Sequence, residues 1–229
     1  MTAKPSLSII IPVLNEAANI VAALRELASL HMRGAEVIVV DGGSVDETAT
    51  LAKPLADFVI ASARVRAIQM NAGAAIAGGN ILLFLHADTR LPPNADELIL
   101  EGLARSQHAW GHFDVSIEGK HPLLPLVAAL MNARSHWTHI ATGDQALFVK
   151  RDAFLTAGRF PEIALMEDIE LSRRLKRISP PLCLHARVAT SGRRWERRGV
   201  LRTILLMWRL RLAYFFGTQP ESLERRYNA

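Results

Sequence analysis

The sequence predicts an α/β protein built on a mostly parallel sheet flanked by helices. Strand-like runs alternate with helical segments four times in the first half of the chain, which is the pattern of a parallel, doubly wound sheet. The runs are continuously apolar, as strands covered on both faces are. Polar clusters stand directly after three of them, where open sheets of this kind bind ligands.

Leu7–Val13 (LSIIIPV) is the first strand, rich in β-branched residues. Glu16–Leu30 follows as a helix, with Ile20, Leu24 and Leu27 recurring at helical spacing. Glu36–Val40 is a second buried strand ending at Asp41, Asp46–Ala52 a short helix and Asp57–Ala61 a third strand. Val65–Ala77 reads as helix, and Ile81–Leu85 as a fourth strand running into His86-Ala87-Asp88. Pro92-Pro93 and an Asn94 cap open a helix over Asn94–Arg105. Beyond residue 107 the rhythm changes: strand Trp110–Ile117, helix Leu123–Trp137, strand Gln145–Val149, helix Glu167–Ile178 and a long helix Val200–Gly217. With no linker-like stretch, repeat or low-complexity segment, the chain reads as one unit, residues 1–196, carrying a helical appendage over 197–229.

Composition narrows the classes. Of 229 residues, 50% are hydrophobic and 21% charged, a globular balance that excludes collagen-like and disordered chains. The single cysteine, Cys183, cannot form an internal disulfide and suits a reducing compartment. Met1–Leu7 lacks the apolar run of a signal peptide, and Leu201–Phe216 is interrupted by Arg202, Arg209 and Arg211, so a cytoplasmic protein without a transmembrane span is expected. The net charge of +5 favours an anionic ligand or surface.

Chemistry concentrates at the strand ends. Asp41 ends a strand, and Gly42-Gly43-Ser44 lets the backbone approach a ligand closely; its carboxylate can accept from a nucleobase or ribose, the alternative being an Asx turn before Asp46. No G-x-G-x-x-G follows either early strand, which argues against a dinucleotide dehydrogenase. Asp88 is placed to hold Mg²⁺ or Mn²⁺ against a diphosphate, since these cations use one or two carboxylates plus phosphate oxygens. Glu167 and Asp168 open a helix, and Asp168 shares a face with Leu171, Leu175 and Ile178, so an inward anion supported by the helix dipole is a candidate general base. Arg193, Arg194, Arg197 and Arg198 surround Trp195 and suit phosphate oxygens or an anionic membrane surface. Nucleic acid is not expected, because no aromatic platform accompanies this short cluster. The histidines show no metal-ligand spacing, and no Ser/His/Asp order is recognisable.

These residues resemble a known family. Ser8-Ile9-Ile10-Ile11-Pro12-Val13-Leu14-Asn15-Glu16, then Val39-Val40-Asp41-Gly42-Gly43-Ser44, are similar to the opening of family 2 glycosyltransferases with the GT-A fold. His86-Ala87-Asp88 stands where that family has D-x-D, Glu167-Asp168 matches its acceptor-side pair, and Arg193-Arg194-Trp195 its late R-W element. The resemblance implies inverting sugar transfer from a nucleotide-sugar with a divalent metal. It implies Asp88 for the metal and Asp168 as base with Glu167 beside it. For the donor it implies Pro12, Asn15, Glu16, Asp41, Gly43, Asn71, Gly73, His86, Arg194 and Trp195. His86 departs from the pattern by replacing the first aspartate of D-x-D.

A narrower resemblance rests on Gln69-Met70-Asn71-Ala72-Gly73-Ala74, Thr142-Gly143-Asp144-Gln145-Ala146 and Leu165–Ser172 together with Thr203–Arg211. It is to a bacterial subgroup associated with radical-SAM genes and arsenosugar biosynthesis. The competing readings are a sugar nucleotidyltransferase, which shares the layout and a metal carboxylate, and a non-catalytic membrane-associated binding protein. For the last helix, Leu201, Ile204, Leu205, Trp208, Leu212 and Phe215 form an apolar face expected to meet a membrane surface, the protein's own domain or a second subunit.

Overall fold

The computed structural model describes residues 5–228. Four strands form the parallel half of one sheet: β1 (Leu7–Val13), β2 (Glu36–Asp41), β3 (Phe58–Ala61) and β4 (Ile81–Phe84). The other half holds β5 (Thr89–Arg90), β6 (Trp110–Glu118), β7 (Phe148–Lys150) and β8 (Leu182–Ser191). The order across the sheet is β3-β2-β1-β4-β7-β6-β8-β5. β7 runs antiparallel to both neighbours, β6 and β8 are parallel, and β5 pairs antiparallel with β8. The ends of β1, β2, β4 and β8 and the entry to β7 therefore gather along one edge.

The period of two in β1 decides which helices cover which face. Leu7, Ile9, Ile11 and Val13 pack with Ile20, Leu24, Leu27 and Leu30 on one side, while Ile10 joins Ile38, Val40, Met70 and Phe84 on the other. The helices are α1 (Ile20–Glu26), α2 (Ala28–Met32), α3 (Thr48–Ala52), α4 (Arg66–Ile76), α5 (Ala95–Ala104), α6 (Leu124–Thr138), α7 (Arg151–Thr156), α8 (Glu167–Leu175), α9 (Arg193–Arg198), α10 (Val200–Phe215) and α11 (Pro220–Asn228).

The helix expected over Glu16–Leu30 is two, beginning only at Ile20, because residues 15–17 are tied to the loop after β2. Gln145 lies in a single 3₁₀ turn, residues 143–145, and the strand starts at Phe148. The helix of the acidic pair ends at Leu175, which leaves Ile178 exposed outside it. The sequence reading had no β8, α7 or α11. In β8 the apolar alternation is broken by His185 and Arg187, and a bulge sits where Phe113 faces Leu184 but Asp114 faces Arg187. Residues 197–228 do not hang free: Leu210 and Leu223 pack on Met166, with Ile169, Leu206 and Tyr214 around them.

Candidate active site

The loops after β1 and β2 form one interlocked unit. Asn15, at φ 53°, receives the Ser44 hydroxyl on its backbone side, its N–H donating to Ser44 Oγ at 2.8 Å, while Val45 N–H donates to Asn15 Oδ1 at 2.9 Å. Glu16 N–H donates to Thr48 Oγ1 at 2.8 Å and Ala17 N–H to Asp46 Oδ2 at 3.2 Å. Asp41 is 8% exposed and accepts from the Ser44 amide and hydroxyl, which makes the Asx-type turn. Oδ1 takes the hydroxyl and a share of the amide, while Oδ2 accepts from the amide alone and keeps a lone pair open. Gly43, at φ 87°, makes the turn that a side chain would strain. Pro12 is half-buried within β1, opposite Val40.

Gln69 of α4 stitches this unit to the sheet, its Nε2 donating to Val13 O at 2.9 Å and Val40 O at 2.8 Å. Two expected donor contacts on α4 are corrected. Asn71 spends both ends of its amide on the Phe160 backbone, at 2.9 and 3.1 Å. Gly73 faces the sheet, where a Cβ would overlap Ile10. Both are packing residues.

At the end of β4, His86 Nδ1 lies 3.3 Å from Asp144 Oδ1, and a Cβ at Gly143 would overlap its ring. Withdrawal from water works against the Asp144 carboxylate, yet the His86 hydrogen bond and the charges of His86, Arg66 and Arg194 hold its pKa below the ordinary value. Gly143 N–H donates to Asp168 Oδ2 at 2.8 Å, and Ile169 N–H to Asp168 Oδ1 at 2.7 Å. Glu167, 3% exposed, is the more buried of the acidic pair, with Arg66 Nη1 3.5 Å from its Oε1. Burial pushes Glu167 upward; Arg66 opposes this and Asp168 adds to it, leaving the net shift upward. Arg66, His86, Gly143, Glu167 and Asp168 line one small pocket with Met70, Phe84, Leu147 and Phe160.

Arg66, at the start of α4, stands amid four carboxylates. Desolvation works against its charge, but Glu167, Asp168, Asp144 and Asp88 together raise its pKa. The sequence reading missed both Arg66 and Asp144; the sole hint was that Asp144 lies within the Thr142–Ala146 motif. Arg194 is exposed, with its guanidinium carbon 4.6 Å from the Tyr227 ring centroid, and burial lowers its pKa while Asp144 and Asp88 counter this. Trp195 is half-buried and packs against the cluster of Leu124, Val127 and Val200. Asp88 is exposed, and among the described residues its carboxylate makes no hydrogen bond or ion pair. A strand-end carboxylate with all its lone pairs free, beside two arginines that feel its charge, fits a divalent ion shared with a diphosphate.

A second cluster appears elsewhere. Asp114 meets His136 Nε2 at 2.7 Å and His185 Nδ1 at 3.5 Å across β6, α6 and the β8 bulge, a grouping that no sequence spacing displays.

Comparison with known proteins bears on the whole arrangement. Residues 8–154 match the profile of Glycosyl transferase family 2. A PGL/p-HBAD biosynthesis glycosyltransferase of Mycobacterium tuberculosis is 40% identical over 96 residues, 39% of this chain and 38% of that protein. The chain thus spans under two fifths of that curated relative's length. Among solved structures, S. aureus TarS 1-349 in complex with UDP superposes with a TM-score of 0.67 at 16% identity, over 81% of this chain and 60% of that one. The mannosyltransferase PcManGT from Pyrobaculum calidifontis, in complex with GDP-Man and Mn²⁺, superposes at 0.63 and 19% identity, over 93% and 62%. At such identities the superpositions establish the fold.

Proposed function

The chain belongs to glycosyl transferase family 2, and on that premise we propose that it transfers a sugar from a nucleotide-sugar to an acceptor hydroxyl with inversion at the anomeric carbon. The observation that carries this reading is the convergence of Asp88, Asp144, Glu167 and Asp168 on Arg66 at the ligand edge of the sheet, with Asp144 and Asp88 also reaching Arg194. The double loop of Asn15, Glu16, Asp41 and Gly43 seats the nucleoside, with Pro12 behind it. Arg194 and Arg66 face the diphosphate. Asp88 would hold a divalent ion there, which when bound supplies positive charge to the leaving diphosphate. His86 stands where a second aspartate is usual and serves by fixing Asp144 instead.

Asp168 takes the proton. Its carboxylate is oriented by two backbone amides and supported by the N-terminus of α8. The acceptor oxygen, as it loses its proton to Asp168, bonds to the anomeric carbon. The bond from that carbon to the diphosphate breaks, and the nucleoside diphosphate leaves with the electron pair. Attack opposite the leaving group inverts the centre. Glu167, sealed against Arg66, holds that arginine in place. A panel of nucleotide-sugars with Mn²⁺, read first by thermal shift and then by release of nucleoside diphosphate, tests this. Pyrophosphate release from a nucleoside triphosphate and a sugar phosphate would instead identify a nucleotidyltransferase. The arsenosugar assignment of the narrower resemblance is a proposal about the acceptor alone.

We also propose that the enzyme works on an anionic membrane surface. No helix among the described residues is long and apolar enough to cross a bilayer. Yet Leu201, Leu205, Trp208, Leu212, Phe215 and Phe216 of the α10 segment are exposed, as are Leu126, Leu130 and Trp137 of α6. The two helices touch through Val127, Ala128 and Val200, so the apolar surfaces belong to one neighbourhood. Residues 119–143 and 197–220 contain no Asp or Glu, whereas Arg202 and Arg209 are exposed between the apolar side chains. That charge complements anionic lipid. The docking of α10 uses its other side, Thr203, Leu206, Met207 and Leu210.

A further inference from the structure

Two arginines remain outside the machinery described above. Arg134 of α6 and Arg211 of α10 each have a side-chain Nε sealed from solvent with no hydrogen-bond partner. A guanidinium nitrogen withdrawn from water without a partner is costly, and two neighbouring groups of like charge are more so. Burial first, and then the charge of Arg211, push Arg134 down to about 10. Among the described residues the acids that act on both are Asp168 and Asp144, and these are engaged elsewhere, Asp168 by two amides and Asp144 by His86. Arg134 is placed by a long contact, its Nη2 3.5 Å from Thr142 Oγ1. Thr142 adjoins Gly143, whose amide holds Asp168. The pair therefore stands on the Asp168 side of the cleft, on two helices, its members 77 positions apart in sequence.

We propose that Arg134 and Arg211 form an anion-binding subsite that receives a phosphate or related oxyanion carried by the acceptor and so brings its hydroxyl to Asp168. Two guanidinium groups offer paired donors that match tetrahedral oxyanions. An arriving anion neutralises the mutual repulsion of the two cations and supplies the acceptor that their nitrogens lack. The acceptor-side assignment rests on Asp168 being the base, but binding of the anion does not. Because both helices carry exposed apolar residues on their outer sides, the oxyanion can arrive on a lipid or on a soluble molecule.

Calorimetric titration of the full chain with inorganic phosphate and, separately, with dioctanoyl phosphatidic acid tests the subsite. Arg134→Gln and Arg211→Gln are each expected to weaken the anion that binds by about 10-fold or more, as for loss of a charged hydrogen bond. Nucleoside diphosphate affinity in the presence of Mn²⁺ stays at the parental level in both, which separates this site from the donor site; Arg194→Gln gives the reverse pattern. Melting temperatures of the two variants equal or exceed the parent's, because a sealed guanidinium nitrogen without a partner is removed. Inorganic phosphate binding with no gain from the lipid identifies a soluble acceptor, and tighter binding of the phosphatidic acid a lipid-borne one. Failure of the parent to bind either probe, or full binding by the double variant, overturns the proposal.

Discussion

The backbone amide of Gly143 donates to Asp168 Oδ2 at 2.8 Å while its α-carbon lies against the His86 ring. One residue without a side chain thus joins the loop that carries Asp144 to the helix that carries the base. Gly143→Ala puts a methyl group where His86 stands, so the ring or the loop must shift. A displacement of about 1 Å at a reacting group costs on the order of 100-fold in rate. We expect Gly143→Ala to retain its fold by circular dichroism and to lose transfer by about that factor, with donor affinity less affected. Unchanged turnover would show that His86 and the loop are free to adjust.

Asp168→Asn keeps one of the two backbone hydrogen bonds, since only the amide oxygen still accepts, and removes the basic carboxylate. Loss of a general base costs about 10²- to 10⁴-fold. Donor binding is expected to stay intact and transfer to fall within that range. A variant that transfers sugar at the parental rate would move the base to another residue.

Asp88→Ala separates metal binding from folding. The carboxylate is exposed and tied to nothing, so stability should change by no more than about 0.5 kcal/mol. Titration of a nucleoside diphosphate with and without Mn²⁺ should show the metal's effect in the parent and none in the variant. A persisting metal effect would assign the ion to Asp144 or His86.

Much of this site was legible because buried parallel strands announce themselves and their ends are where chemistry collects. Asp41, Asp88, Asn15 and Glu16 were singled out by that rule, and the structure places them at the strand ends and loops along that edge of the sheet. Arg66 and Asp144 were not, because their importance lies in the company that folding gives them: Arg66 meets Glu167 from a helix 101 positions away in sequence. Asn71, Gly73 and Trp195 sit in matching motifs, and the packing that folding gives them is nothing a string of residues displays. β8 was hidden for a different reason. It has a partly exposed, mixed composition and a bulge that destroys its alternation.

Glu167 should give the protein a measurable pH dependence. Its folded-state pKa lies above the ordinary 4.5, so the native chain keeps a proton that the unfolded chain has lost. That contribution is fully present below the unfolded value and fades as pH rises through the folded one. Glu167→Gln is neutral throughout. Its melting temperature relative to the parent should therefore climb as pH rises from about 4.5 through the raised folded-state value. A difference that is flat over that interval would mean that Arg66 fully compensates the burial of Glu167.

The outer surface of α6 and α10 should respond to lipid charge as well as to lipid. Exposed Leu205 and Trp208 supply apolar burial, and Arg202 and Arg209 supply attraction worth about 1 kcal/mol each near an anionic surface. The protein is expected to sediment with phosphatidylglycerol vesicles at low salt and not with phosphatidylcholine vesicles. Raising the ionic strength to about 1 M, where the screening length falls to about 3 Å, should release it. Leu205→Glu with Trp208→Glu changes only exposed positions, so the fold should survive while sedimentation is lost at every salt concentration. A second copy of the chain could cover the same surface, and light scattering decides between them. A stable dimer that the double variant dissociates, together with no dependence on lipid, would assign the stripe to a subunit interface, because a bilayer leaves the protein monomeric in its absence.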